Sequence, residues 1–181
     1  MGIQLIDGKG TGGAAEVRNQ KLVTITDGLS PLALATLDGR AYSFSNVTYD
    51  PDALDTIILL KNIHPTKNFH ICDVAISCDV ATEWHAHIVT AVFTQAGTLA
   101  ITPVNLNSNF GNSSSIDAFG DETANTQGAI IHPHFVTTIA NTSLQYNYNG
   151  ALTIAPGHAF ALDTVTASTA AHVSVTGYQE E

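Results

Sequence analysis

The chain has 181 residues, 44% hydrophobic and only 12% charged, with 6 basic against 16 acidic side chains and a formal net charge of -10. That length and apolar content suffice for one packed core, so a single main domain is expected. The acidic balance repels a nucleic-acid duplex or an anionic membrane surface, which removes both as expected partners.

The opening "MGIQLIDGKG" lacks a basic stretch followed by an apolar run, and Ile6 stands where a myristoylation signal needs Ser or Thr. No window approaches the roughly 20 apolar residues of a membrane helix. A soluble, unprocessed protein is therefore expected, with no targeting segment. Residues 1–20 are glycine-rich and are expected to form an arm or a first hairpin, with the β domain over 21–181. "GKGTGG" at 8–13 lacks the Gly-Lys-Ser/Thr ending of a phosphate-binding loop and precedes a strand pattern, so flexible-arm glycines are the better account.

Strand signals then dominate. "KLVTITD" is rich in β-branched residues and runs into Asp-Gly turn chemistry, whereas "PLALATLDG" at 31–39 is expected to make at most a short helical turn. "AYSFSNV" alternates through Tyr42 and Phe44. "YDPDALD" could gather calcium through Asp50, Asp52 and Asp55, but it lacks the Gly and terminal Glu of an EF-hand and reads as a solvated acidic turn. In "HICDVAISCDV", period two places His70, Cys72, Val74, Ile76, Cys78 and Val80 on one apolar face. On one strand Cys72 and Cys78 would stand roughly 20 Å apart, beyond disulfide reach, so both are expected to be buried free thiols. Residues 105–128, polar and nearly without periodicity, read as a long surface loop. "AHVSVTGY" closes the chain with another alternating run.

No window of a dozen residues carries a helical stripe, and turn clusters often recur near the ~8–12-residue spacing of sandwich strands. The expected fold is all-β: an antiparallel β-sandwich, jelly-roll-like, with a Gly-rich N-terminal arm.

Two histidine pairs are the candidates for chemistry. His85 and His87 in "WHAHIVTAV", and His132 and His134 in "IIHPHFV", are each two apart, so on a strand each pair would share a face. The cupin jelly roll holds a metal on such a pair, but it also needs a Glu four or five positions after the second His. Here no carboxylate follows His87 before residue 117. His158 in "APGHAF" sits in generic turn chemistry, and Pro133 removes a ladder donor, pointing to an edge strand or bulge. No metal, no cofactor and no enzymatic activity are expected. Cys72 and Cys78 lie on an apolar face, where a thiol is usually inert, and no nucleophile sits in a strained Gly-flanked elbow.

Four segments carry a resemblance. "DGKGTGGAAEVRNQKLVTI" at the start, "GRAYSF" at 39–44, "PVNLNSNFGNSSSIDA" at 103–118 and "LTIAPGHAFAL" at 152–162 resemble, in that order, segments of tailed-bacteriophage virion proteins. The resemblance implies a non-enzymatic β-sandwich of the virion exterior, of the capsid decoration, minor capsid or head-fibre type, assembled in the host cytoplasm as a homo-oligomer. Expected partners are other copies of the chain, as a homotrimer, and the major capsid or other virion proteins. Gly8, Gly10, Gly12, Gly13, Val17, Arg18 and Leu22 are the expected partner-binding residues: the glycines let the backbone lie close to another chain, and "EVRNQKLVTI" could add a strand to a partner's sheet edge. Two other classes remain open. One is a metal-dependent cupin-like enzyme. The other is a carbohydrate-binding sandwich using Trp84, Tyr146, Tyr148 or Tyr178, although strand aromatics are more often core.

Overall fold

The computed structural model describes residues 16–18, 21–23, 29–90, 99–111, 113–120, 128–137, 140 and 142–181, with the backbone alone for 16–18, 21–23 and 132–137. The chain forms two compact units, Met1–Ser30 and Pro31–Glu181. In the first, β1 (Glu16–Arg18) pairs antiparallel with β2 (Lys21–Val23), Val17 opposite Leu22, as a two-stranded sheet. Of the expected partner-binding residues, Val17, Arg18 and Leu22 fall in this hairpin, whereas Gly8, Gly10, Gly12 and Gly13 lie outside the described residues.

The second unit is an antiparallel β-sandwich, as the alternation predicts. It opens with the α1 helix (Pro31–Leu37), one seven-residue helix where a short helical turn was expected. Gly39, at φ 70, ends it: Arg40 N–H donates to the Ala35 carbonyl at 2.8 Å and Gly39 N–H to Thr36 at 3.1 Å, the paired bonds of a Schellman cap. Then follow β3 (Ala41–Tyr49), β4 (Thr56–Asn62), β5 (Phe69–Cys78), β6 (Thr82–Val89), β7 (Leu99–Ala100), β8 (Val104–Asn105), β9 (Ile116–Gly120), β10 (Ala129–Thr137), β11 (Leu144–Ile154), β12 (Ala159–Thr164) and β13 (Ala170–Gln179). One sheet has the order β10-β6-β12-β4-β9-β7 and the other β11-β5-β13-β3-β8. From β3 to β6 and from β10 to β13 each successive strand changes sheet. β12 is therefore bonded to β4 and β6, and β13 to β3 and β5, so the ladders join residues far apart in sequence.

The two inner faces meet in one core of Phe44, Phe69, Val74 and Ile76 from one sheet and Ile58, Leu60, Trp84, Phe160 and Leu162 from the other. Phe44 and Phe69 pack edge to face with ring centroids 5.9 Å apart. Burial of this kind contributes roughly 25 cal/mol per Å² of apolar surface. β4 explains why "IILL" is so apolar: it lies between β12 and β9, and Ile57, Ile58, Leu59 and Leu60 are all fully buried. A second cluster of Leu59, Val89, Ala159 and Ala161 is separate from the main core.

Two expectations need correction. β5 does not keep one phase. Thr176 faces Asp73 but Gly177 faces Ile71, leaving Cys72 as an extra residue in a β-bulge. Phe69 and Ile71 join the core ahead of the bulge, with Val74, Ile76 and Cys78 after it. His70 instead stacks on Tyr178 at 5.0 Å and is not on the apolar face. Residues 105–128 are not one loop either. Within them Ile116–Gly120 forms β9, which pairs with β4 through Leu60 and Ala118. Its five residues alternate, Ile116, Ala118 and Gly120 inward with Asp117 exposed, but so short a run inside a polar stretch was not separated from the loop around it. The cysteines are free and buried, as expected, and burial together with the Asp73 charge pushes the Cys72 thiol up to about 11.

Candidate functional site

Two strands build a polar cluster on the face of the six-stranded sheet opposite the core. Along β6, Trp84 and Ala86 point into the core, so Glu83, His85 and His87 take the other face. On the neighbouring β12, Asp163 lies directly opposite His85, with Ala161 opposite His87. Directly opposed side chains start about 5 Å apart and diagonal ones about 7 Å, so one carboxylate at 163 can reach both rings.

It does so with a different oxygen for each. Asp163 Oδ2 is 3.0 Å from His87 Nε2, and Oδ1 is 3.4 Å from His85 Nδ1. The far nitrogen of each ring also faces an acceptor. His87 Nδ1 donates to the Gly128 carbonyl at 3.0 Å, and His85 Nε2 is 3.4 Å from Glu83 Oε1. Gly128 has to be glycine here, because a Cβ would run into the Ile88 carbonyl of β6, and that close approach brings its own carbonyl to His87.

Burial makes these contacts strong. Asp163 is 0% exposed and the His87 side chain 5%, whereas His85 is 19% exposed and opens the cluster to solvent. Burial opposes a charge on His87, but the hydrogen bonds to Asp163 and Gly128, with the Asp163 charge, outweigh it and hold the imidazole pKa above its ordinary value. Both His87 nitrogens face acceptors, an arrangement that favours the doubly protonated ring. Asp163 Oδ1 is different: it is buried and has no hydrogen bond of normal geometry.

Among the described residues, one group brings three metal-ligating side chains together: His85, His87 and Asp163, with ligand atoms all within 4.8 Å of one another. The sequence pattern that discounted this pair looked for a carboxylate a few residues after His87, but the fold supplies it from another strand. Glu83 was legible: in "EWHAH" it precedes His85 by two and shares its face. Asp163 carried no local signal, since its place depends on the β6–β12 register.

The other candidates are dispersed. His132 lies opposite Ala86 in β10, which is an edge strand with register shifts on both sides of His132, as Pro133 foretold. His158 follows a turn in which its N–H bonds to the Ala155 carbonyl at 3.0 Å and Gly157 has φ 78. Asp52 and Asp55 bond to one another's backbone in an acidic turn. Trp84, a candidate sugar platform, is fully buried in the core, and Tyr146 and Tyr148 are partly buried against it. Shallow depressions over β3, β5 and β13, and around Arg40, His64 and Gln179, lie away from the cluster. No family model, curated protein or solved structure matches the chain.

Proposed function

We propose that this chain is a non-enzymatic structural protein of a tailed-bacteriophage virion, decorating or stabilising the capsid exterior as a homotrimer. The observation that carries this reading is the ordered set of four segments, from "DGKGTGG" to "LTIAPGHAFAL", that resemble phage virion proteins along most of the chain. A rigid antiparallel sandwich with few charges supports it as an architecture suited to a particle surface, and the repeated crossing of strands between sheets is what a jelly-roll-like sandwich would have.

An apolar surface supports self-association. Leu34 and Leu37 of α1, Val104 of β8, and Leu106 and Phe110 of the loop after β8 are each between 40% and 62% exposed. The loop is tied to the helix by Asn107 Nδ2, which donates to the Thr36 carbonyl at 3.0 Å. A contiguous apolar patch of this kind would suit contact with another copy of the chain. Attachment to the capsid would run through the N-terminal segment, with Gly8, Gly10, Gly12 and Gly13 allowing close approach and Val17, Arg18 and Leu22 pairing with a partner's edge.

Mass spectrometry and electron microscopy of purified particles test this reading. The chain is expected in multiple copies on the exterior, and light scattering of the isolated protein should give three chains per particle, falling to one in Leu37→Glu. Absence from the particles ends the proposal. A stable wild-type monomer ends the trimer.

A further inference from the structure

We propose that His85 Nδ1, His87 Nε2 and Asp163 form a binding site for one divalent transition metal ion of the zinc type, clamping β6 to β12 on the outer face of the sheet. This inference stands independently of the virion reading.

Four observations converge on it. Two imidazole nitrogens and a carboxylate, all within 4.8 Å of one another, are a donor set that borderline divalent ions favour. Each ring turns its other nitrogen to an acceptor, His87 to the Gly128 carbonyl and His85 to Glu83. That outer support orients a ligating imidazole and raises its basicity. Asp163 is completely buried, yet Oδ1 lacks a hydrogen bond, an expense the fold would recover if that oxygen met a cation. Finally, His85 is partly exposed and gives an ion a way in, while His87 and Asp163 border the buried Leu59, Val89, Ala159 and Ala161.

Charge also balances. Two neutral imidazoles, the Asp163 carboxylate and a divalent cation sum to +1, which Glu83 beside His85 offsets. The proton bound at His87 Nε2 leaves when the ion enters, and Nδ1–H remains on the Gly128 carbonyl. The sequence argued against a metal because the cupin pattern was incomplete; the cross-strand carboxylate removes that objection without implying cupin chemistry.

The test uses the full purified chain, stripped with a chelator and titrated with Zn2+ by calorimetry, then with Co2+ by visible absorption. One ion per chain is expected, with cobalt bands of nitrogen-oxygen coordination. His85→Gln, at the exposed ligand and so least disruptive to folding, should weaken binding at least about 100-fold, and Glu83→Gln about 10-fold through the outer contact. His158→Gln, remote from the cluster, should bind as wild type. A folded wild-type chain that takes up no zinc overturns the site, as does binding that survives His85→Gln; in either case the cluster is a buried ion pair alone.

Discussion

The two faces of β6 and β12 are made by alternate residues of the same strands, yet they obey different rules. Trp84, Ala86, Phe160 and Leu162 on the inner face are buried among apolar neighbours. On the outer face His87 and Asp163 are as deeply buried, but each is held by directed bonds. The inner face tolerates any filling of the right volume and is punished for a void. At His87 and Asp163 the outer face is punished chiefly for a polar group left without its partner, although Val89, Ala159 and Ala161 beside them are packed like the core. Equal burial therefore says little about what a position requires; the chemistry of its partners does.

The largest break should come on the inner face. Trp84→Ala removes the largest fully buried side chain and leaves a void between the sheets, and should cost about 4 kcal/mol in urea denaturation. A loss below about 1 kcal/mol would mean that the core collapses around the gap. On the outer face Asp163→Ala leaves His87 Nε2 buried without its acceptor and should cost about 2 kcal/mol in metal-free protein. The contrast sharpens in the double variant His87→Leu with Asp163→Leu. There the pair is replaced rather than broken, and most of the stability should return. If the double variant is no better than the single, directed pairing is not what the outer face needs.

Much of this contrast was open to the sequence. The alternation in "AYSFSNV" and "AHVSVTGY" gave an all-β chain, and the spacing of "WHAHIVTAV" placed His85 and His87 on one face, because a period of two is local; the same period extends to Glu83, which that reading left out. What failed was long-range or irregular. The phase of β5 flips at Cys72 because the bulge depends on the facing β13 strand, which no reading of "HICDVAISC" contains. β9 was hidden in a polar stretch since its burial comes from β4, more than fifty residues earlier in the chain. Asp163 was invisible for the same reason: a carboxylate in "FALDTV" has no mark of a histidine partner until register is known.

The inner face has a polar exception at its edge, smaller in effect. Asn62 is fully buried and satisfied: Nδ2 donates to the Ile154 carbonyl at 2.9 Å and the Lys67 carbonyl at 2.8 Å, and Oδ1 accepts from His64 N–H at 3.0 Å. It ties the end of β4 to the end of β11 in the other sheet. Asn62→Ala leaves those groups without partners and should cost about 2 kcal/mol by thermal denaturation. Asn62→Asp should be no milder, because a carboxylate cannot donate to the two carbonyls.

The smallest effect belongs to an exposed carboxylate, the counterpart of Asp163. Asp79, just past β5, accepts at Oδ2 from the Thr169 hydroxyl, a close contact, and from the Thr169 backbone N–H at 3.2 Å. The Thr169 hydroxyl is the largest reason that its pKa is held below the usual value; slight burial opposes the shift, and backbone donors reinforce it. Because the folded pKa lies below the unfolded one, this contact contributes stability above the ordinary carboxylate range, and the contribution fades as pH falls through the folded value. Thr169→Val removes the donor and keeps the shape. It should lower the melting temperature slightly at pH 7 and not at all at a pH below the folded value, where the carboxyl is protonated in both proteins. Solvent screens the interaction, so the pH dependence rather than the size of the loss is diagnostic. A constant difference between Thr169→Val and wild type across the acid range would assign the effect to packing instead of charge, and the distinction between buried and exposed carboxylates would then rest on Asp163 alone.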